Sequence, residues 1–194
     1  MKIFTPLFLA FLFGFSPLSP EIETTEVTNG HYLGKGQQSY SLSAEQLVAM
    51  ITDYPNSCQY SHCRYHVPNV EETRVFAGPG AQQFYLWTKI KNIKSGSYFS
   101  QVTIEENGEE VTIKNSMVSP AVALELSRKY GLPHEPIMDT TDSLWTLTEK
   151  PGETLVEIKI ETSSNSGLIN RFPKKVLSGL RESIEALLSN LMAQ

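Results

Sequence analysis

Residues 172–194, FPKKVLSGLRESIEALLSNLMAQ, form the longest amphipathic stretch in the sequence. Pro173 suits a first helical turn, where its missing N–H costs nothing. Val176, Leu177, Leu180, Ile184, Leu187, Leu188 and Leu191 then recur at helical spacing, and Lys174, Lys175, Arg181, Glu182 and Glu185 occupy the other side. A helix of about 20 residues is roughly 30 Å long, enough to cross a whole sheet. Gly179 interrupts the pattern at a cost of about 1 kcal/mol relative to alanine. A missing side chain there either lets the helix pack closely or leaves space beneath it.

Upstream of this helix the sequence reads mainly as antiparallel strands. ETLVEIKIET (153–162) alternates Val156, Ile158 and Ile160 with Glu157, Lys159 and Glu161, the pattern of a sheet with one buried face. It pairs across a Pro151-Gly152 turn with SLWTLTEK (143–150). Asn107-Gly108 is the strongest hairpin signal in the chain, joining SYFSQVTIEEN (97–107) to EEVTIKNSMV (109–118). QQFYLWTKIKN (82–92), NVEETRVFA (69–77) and QSYSL (38–42) complete the series. Two shorter helices interrupt it. SAEQLVAMITDY (43–54) opens with Ser43 and Gln46 in capping-box positions, and SPAVALELSRKYGLP (119–133) is framed by Ser119-Pro120 and by Gly131. The polar, glycine-containing EIETTEVTNGHYLGKG (21–36) reads as a flexible lead-in.

Strand alternation also poses a problem. In 82–92, Phe84, Leu86, Thr88 and Ile90 share one face, and Tyr85 and Trp87 fall on the other. Lys89 and Lys91 share that second face, but exposing Tyr85 and Trp87 on it would be odd unless the 119–138 segment covers them or a bulge changes the register.

Together these elements predict one α+β domain: a curled antiparallel sheet of about six to seven strands, closed by the C-terminal helix. A curled sheet cannot touch a straight helix everywhere, and an apolar cavity between them would suit a hydrophobic ligand. Phe84, Leu86, Val102, Val111, Ile113 and Met117 are expected to line it from the first strands. Trp145 and Ile158 are expected to do so from the late hairpin, and Leu177 and Leu180 from the helix. Tyr98, Asn115 and Arg171 are the candidates for orienting a polar group. A net charge of −5 with no basic stripe excludes a general nucleic-acid surface.

Three stretches resemble the helix-grip fold of the START and Bet v 1-like superfamily, which includes polyketide cyclase/dehydratase and lipid-transport relatives. SAEQLVAMITDYPNS followed by VPNVEETRVF resembles the first helix, its exit and the next strand. SLWTLTEKPGETLVEIKIET resembles the late hairpin, and LINRFPKKVLSGLRESIEALLSNL the proline-initiated terminal helix. The match spans about residues 38–192. It implies a lipid or other hydrophobic small molecule as partner, bound without a cofactor, and transient membrane contact would accompany lipid exchange. A cyclase/dehydratase-like enzyme acting on an apolar substrate, or an interaction module with a filled core, are the alternatives. The 119–141 segment is longer than the simplest members need, and the cysteine pair at 58 and 63 is not associated with the family.

MKIFTPLFLAFLFGFSPLSP (1–20) has a short basic start and an apolar run from Ile3 to Phe15. That run is too short for a comfortable membrane span and suits a secretory signal, cleaved or retained as an anchor. An exported chain, periplasmic or secreted, is expected. Export bears on CQYSHCRYH (58–66), which holds both of the chain's cysteines and two of its four histidines. In an oxidising compartment a Cys58–Cys63 disulfide is the first reading. Zinc bound by Cys58, His62, Cys63 and His66 is a second reading, with compressed spacing, and free thiols are a third. No G-x-S-x-G, H-E-x-x-H or phosphate loop is present. Asp53, Asp139, Asp142, His31, His62, His66 and His134 are the side chains that could act as acid or base, and no catalytic set is assigned among them.

Overall fold

The computed structural model describes residues 19–91, 94–167 and 169–192. The apolar signal-like run read from 3–15 lies outside the described residues. Eight strands form one antiparallel sheet: β1 (Glu21–Thr28), β2 (His31–Tyr40), β5 (Val70–Ala77), β6 (Gln83–Lys91), β7 (Ser95–Asn107), β8 (Glu110–Met117), β9 (Thr140–Lys150) and β10 (Glu153–Ser163). Their order across the sheet is β1-β2-β10-β9-β8-β7-β6-β5. Two short strands, β3 (Ser57–Cys58) and β4 (Tyr65–His66), pair in parallel beside it. The helices are α1 (Ala44–Ile51), α2 (Pro120–Tyr130) and α3 (Pro173–Asn190).

The strand and helix signals are realised closely. Ser43 and Gln46 form a reciprocal capping box on α1, and Gly131 ends α2 in the left-handed conformation at φ 66°. The Asn107-Gly108 and Pro151-Gly152 turns join β7 to β8 and β9 to β10.

One correction concerns residues 21–36. They are no flexible lead-in: β1 and β2 form a hairpin, and β2 pairs with β10 along its whole length, from Tyr40↔Thr154 to His31↔Ser163. The inner positions of β2 are Tyr32, Gly34, Gly36, Gln38 and Tyr40, and α3 lies across them. A Cβ on Gly34 would come within 2.7 Å of Ile184 Cδ1. One on Gly36 would overlap Ile184 and stand 3.0 Å from Leu188 Cδ1. The glycines are there because the helix approaches the strand backbone, and the close approach is fixed by the buried Tyr40 hydroxyl donating to Leu188 O at 2.7 Å.

The sheet has two differently covered faces. On the concave face one continuous core includes Leu86, Val102, Ile113, Trp145, Leu147, Val156 and Ile158 from the strands, Leu47, Met50 and Ile51 from α1, and Ile184, Leu188 and Leu191 from α3. On the convex face Trp87 and Phe99 pack with Leu126 of α2, and Phe76, Tyr85, Val122, Tyr130 and Leu132 close around them. The 119–138 segment therefore covers the second apolar face of β6, as the alternation required. Polar bonds lock it on. Pro133 O accepts from Trp87 Nε1 at 2.8 Å and from Ser97 Oγ at 3.0 Å, and His134 Nδ1 accepts the Phe99 N–H at 3.1 Å.

Cys58 and Cys63 are joined by a disulfide. His62 lies beside them, but a disulfide has no thiolate to offer a metal. The short strand β4 that follows the closed loop anchors the end of the grip: Asn190, the last residue of α3, accepts the His66 N–H and donates to His66 O at 2.9 Å.

Candidate functional site

Cross-strand register shows which side chains share the concave face. Leu86 faces Ser100 across β6–β7, and Phe84 faces Val102. Val102 faces Asn115, Ser100 faces Met117, and Ile104 faces Ile113 across β7–β8. Asn115 faces Ser143, Ile113 faces Trp145, and Val111 faces Leu147 across β8–β9. Trp145 in turn faces Ile158 on β10. The face is thus divided along the strands. Val102, Ile104, Val111, Ile113 and Leu147 make an oily half, over which α1 passes. Tyr98, Ser100, Asn115 and Ser143 make a neutral polar half.

α3 does not cover this face evenly. Ile184 and Leu180 stand over Gly34, and Ile184 and Leu188 over Gly36. On the neighbouring flank Arg181 reaches outward to donate to Ile22 O of β1 at 3.0 Å. The opposite flank carries Val176, Gly179, Ser183 and Leu187, spaced three and four residues apart so that they form one row. This row lies on the side of α3 away from β1, and all four are half-buried. Leu187 packs against the main core, whereas a Cβ on Gly179 would meet nothing within 4 Å.

Two tyrosines border the same region. Tyr54, just after α1, packs its ring 6.0 Å from Phe84, and Tyr98 stands opposite Thr88 on the inner face. Burial pushes both hydroxyls up from the usual tyrosine range; Tyr54 is raised further by Tyr98, and a Thr88 hydrogen bond partly offsets the rise at Tyr98. Both nevertheless keep accessible surface. Two polar atoms there are buried without a hydrogen-bond partner among the described residues, Ser100 Oγ and Asn115 Oδ1. Tyr32 OH is a third such atom, on the stretch of β2 that pairs with Thr162.

Of the expected lining residues, Leu86, Val102, Ile113, Trp145 and Ile158 lie in the concave core, with Phe84, Val111 and Leu180 packed against it. Tyr98, Asn115 and Met117 share that face half-buried, and Leu177 is half-buried on α3. Arg171 is not brought to them; it is exposed in the turn before α3. Ser100 was not anticipated, since a lone serine in a strand carries no signal until its register is known. The acids and bases named from sequence lie elsewhere. His134 is in the convex layer, Asp53 accepts from the Asn56 amide, and Asp139 accepts from the Asn165 N–H. His62 and His66 are in the disulfide segment, and His31 and Asp142 alternate outward on β2 and β9.

No protein-family model and no curated protein sequence matches the chain. Solved structures do. Human STARD10 shares 12% identity over 87% of this chain and 70% of that one, with a TM-score of 0.58. The fold is the START-type helix grip. The lipid transfer and protein localization domain of human StarD13 is similar over 91% of this chain and 86% of its own, at 8% identity and a TM-score of 0.61. The Zhui aromatase/cyclase from a Streptomyces species shares 11% identity over 89% of this chain and 93% of that one, with a TM-score of 0.52.

Proposed function

We propose that this helix-grip protein binds a lipid or another apolar small molecule between the concave face of the sheet and the inner flank of α3, and carries it outside the cytoplasm. The observation that carries the reading is the row Val176–Gly179–Ser183–Leu187. It is an apolar and small-residue flank on the side of α3 away from Arg181 and β1, and among the described residues nothing lies within 4 Å of a Cβ placed on Gly179. Burying an apolar chain there contributes about 25 cal/mol per Å² removed from water. Similarity to proteins described as lipid transfer domains supports the ligand class. The Cys58–Cys63 disulfide and the apolar N-terminal sequence support an oxidising location. Entry requires α3 or the segments flanking its N-terminus to move aside, as gating elements do in enclosed sites.

The test is solvent extraction of protein purified without detergent from the exporting cell, followed by mass spectrometry of the extract. A stoichiometric apolar compound is expected. An empty protein that also takes up no fatty alcohol, sterol or phospholipid would refute the reading.

A further inference from the structure

The chemistry of the recess narrows its ligand. Ser100 is 1% exposed, and its Oγ has no partner; Asn115 Oδ1 is likewise buried and unpaired. Both point from the inner face of adjacent strands. Because Ser100 faces Met117 and Asn115 faces Val102, they are diagonal neighbours, roughly 7–8 Å apart along the ladder. A buried donor or acceptor left unmade costs about 1–3 kcal/mol, so two at one place are expensive unless something satisfies them.

Cations are kept away from this place. Among the described residues of the sheet, Lys35, Lys89, Lys91, Lys114, Lys150 and Lys159 all alternate to the convex face, and Arg74 stacks on Trp87 there. α1 contains no lysine or arginine. On α3, Lys174 and Lys175 are exposed and Arg181 turns to β1. The carboxylate at the far end of β9, Glu149, accepts the Ala44 N–H at the start of α1. What remains on this part of the face is neutral: Ser100, Asn115, Ser143, Thr88 and the two tyrosines.

Building on the ligand reading above, we infer that the recess selects an uncharged apolar molecule bearing a hydroxyl group, which donates to Asn115 Oδ1 and accepts from Ser100 Oγ. A hydroxyl is both donor and acceptor, so one group fills both vacancies. An ester or ketone accepts from Ser100 but leaves Asn115 Oδ1 unpaired. A carboxylate or phosphate would be buried against an acceptor with no cation to neutralise it, a costly arrangement.

Three probes with the same chain separate these cases: 1-dodecanol, methyl dodecanoate and dodecanoate, titrated into the full protein at pH 8 by calorimetry below their aggregation limits. The alcohol should bind at least about tenfold more tightly than the carboxylate, and by about three- to tenfold over the ester. In Ser100→Ala with Asn115→Leu, the alcohol's advantage over the ester should vanish, and the ester should lose no more than its single bond from Ser100 supplied, about three- to tenfold. Ser100→Ala alone, a single-atom deletion, should lose part of that advantage. Dodecanoate binding as well as dodecanol, or a double variant that folds and keeps the full alcohol preference, would overturn the inference. Failure of all three probes together would instead overturn the ligand reading beneath it.

Discussion

Two glycines on opposite sides of the grip provide a matched test of where space exists. At Gly36 a Cβ would overlap Ile184 and press on Leu188 Cδ1 at 3.0 Å. Both neighbours are fully buried in the core, so neither can swing away freely. Inserting a methyl into such packing costs about 1–3 kcal/mol, which for a domain of this size lowers the melting temperature by about 2–12 °C. At Gly179 the same methyl meets nothing within 4 Å. There Gly179→Ala should remove the helix penalty of about 1 kcal/mol and raise the melting temperature by about 2–4 °C. Calorimetric unfolding of wild type, Gly36→Ala and Gly179→Ala, each without and with 1-dodecanol, gives both numbers. Gly179→Leu extends the series: it should also fold stably, but its side chain should compete with the ligand and suppress the dodecanol-induced shift. A Gly179→Ala protein destabilised as much as Gly36→Ala would mean that α3 is packed solidly on this flank, and the argument for a recess would fall.

Two further predictions concern the supports around the site. Reducing the disulfide, with a separation of 5 residues, removes a short closed loop from the unfolded chain and should cost about 2 kcal/mol; unfolding with and without reductant, with thiols counted, measures it, and an unchanged transition in fully reduced protein would show that the loop adds nothing to the fold. Burial lowers the pKa of His134, so the unfolded chain, titrating near 6.5, binds more protons as pH falls through that value. The His134 contribution is therefore complete above about pH 6.5 and lost progressively below it. His134→Asn, which keeps an acceptor for the Phe99 N–H without titrating, should lose less stability between pH 7.5 and 5.5; identical losses in the two proteins would contradict this.

Much of the fold could be read because its signals are local. The Ser43–Gln46 box, the β10 alternation, the Asn107-Gly108 turn and the α3 stripe each specify an element from a few residues. The demand of Tyr85 and Trp87 for cover foretold the α2 layer as well. The β1–β2 hairpin escaped because its inner row carries Gly34 and Gly36 where apolar side chains would have marked the face. Those glycines serve a helix nearly 150 residues later, and no local pattern records that. The site divides the same way. The apolar residues of the concave face followed from alternation, and Asn115 stood out as an amide among them. Ser100 became visible only through its pairing with Leu86 and Met117, and Arg171 fell outside because a residue before a helix has no fixed face.

The most direct measurement is a set of intermolecular nuclear Overhauser contacts between bound 1-dodecanol and methyl-labelled protein. The account predicts contacts from the alkyl chain to Leu187 on α3 and, at the same time, to Val102 and Ile113 on the sheet. Contacts confined to exposed residues such as Leu124 and Leu144 would contradict it.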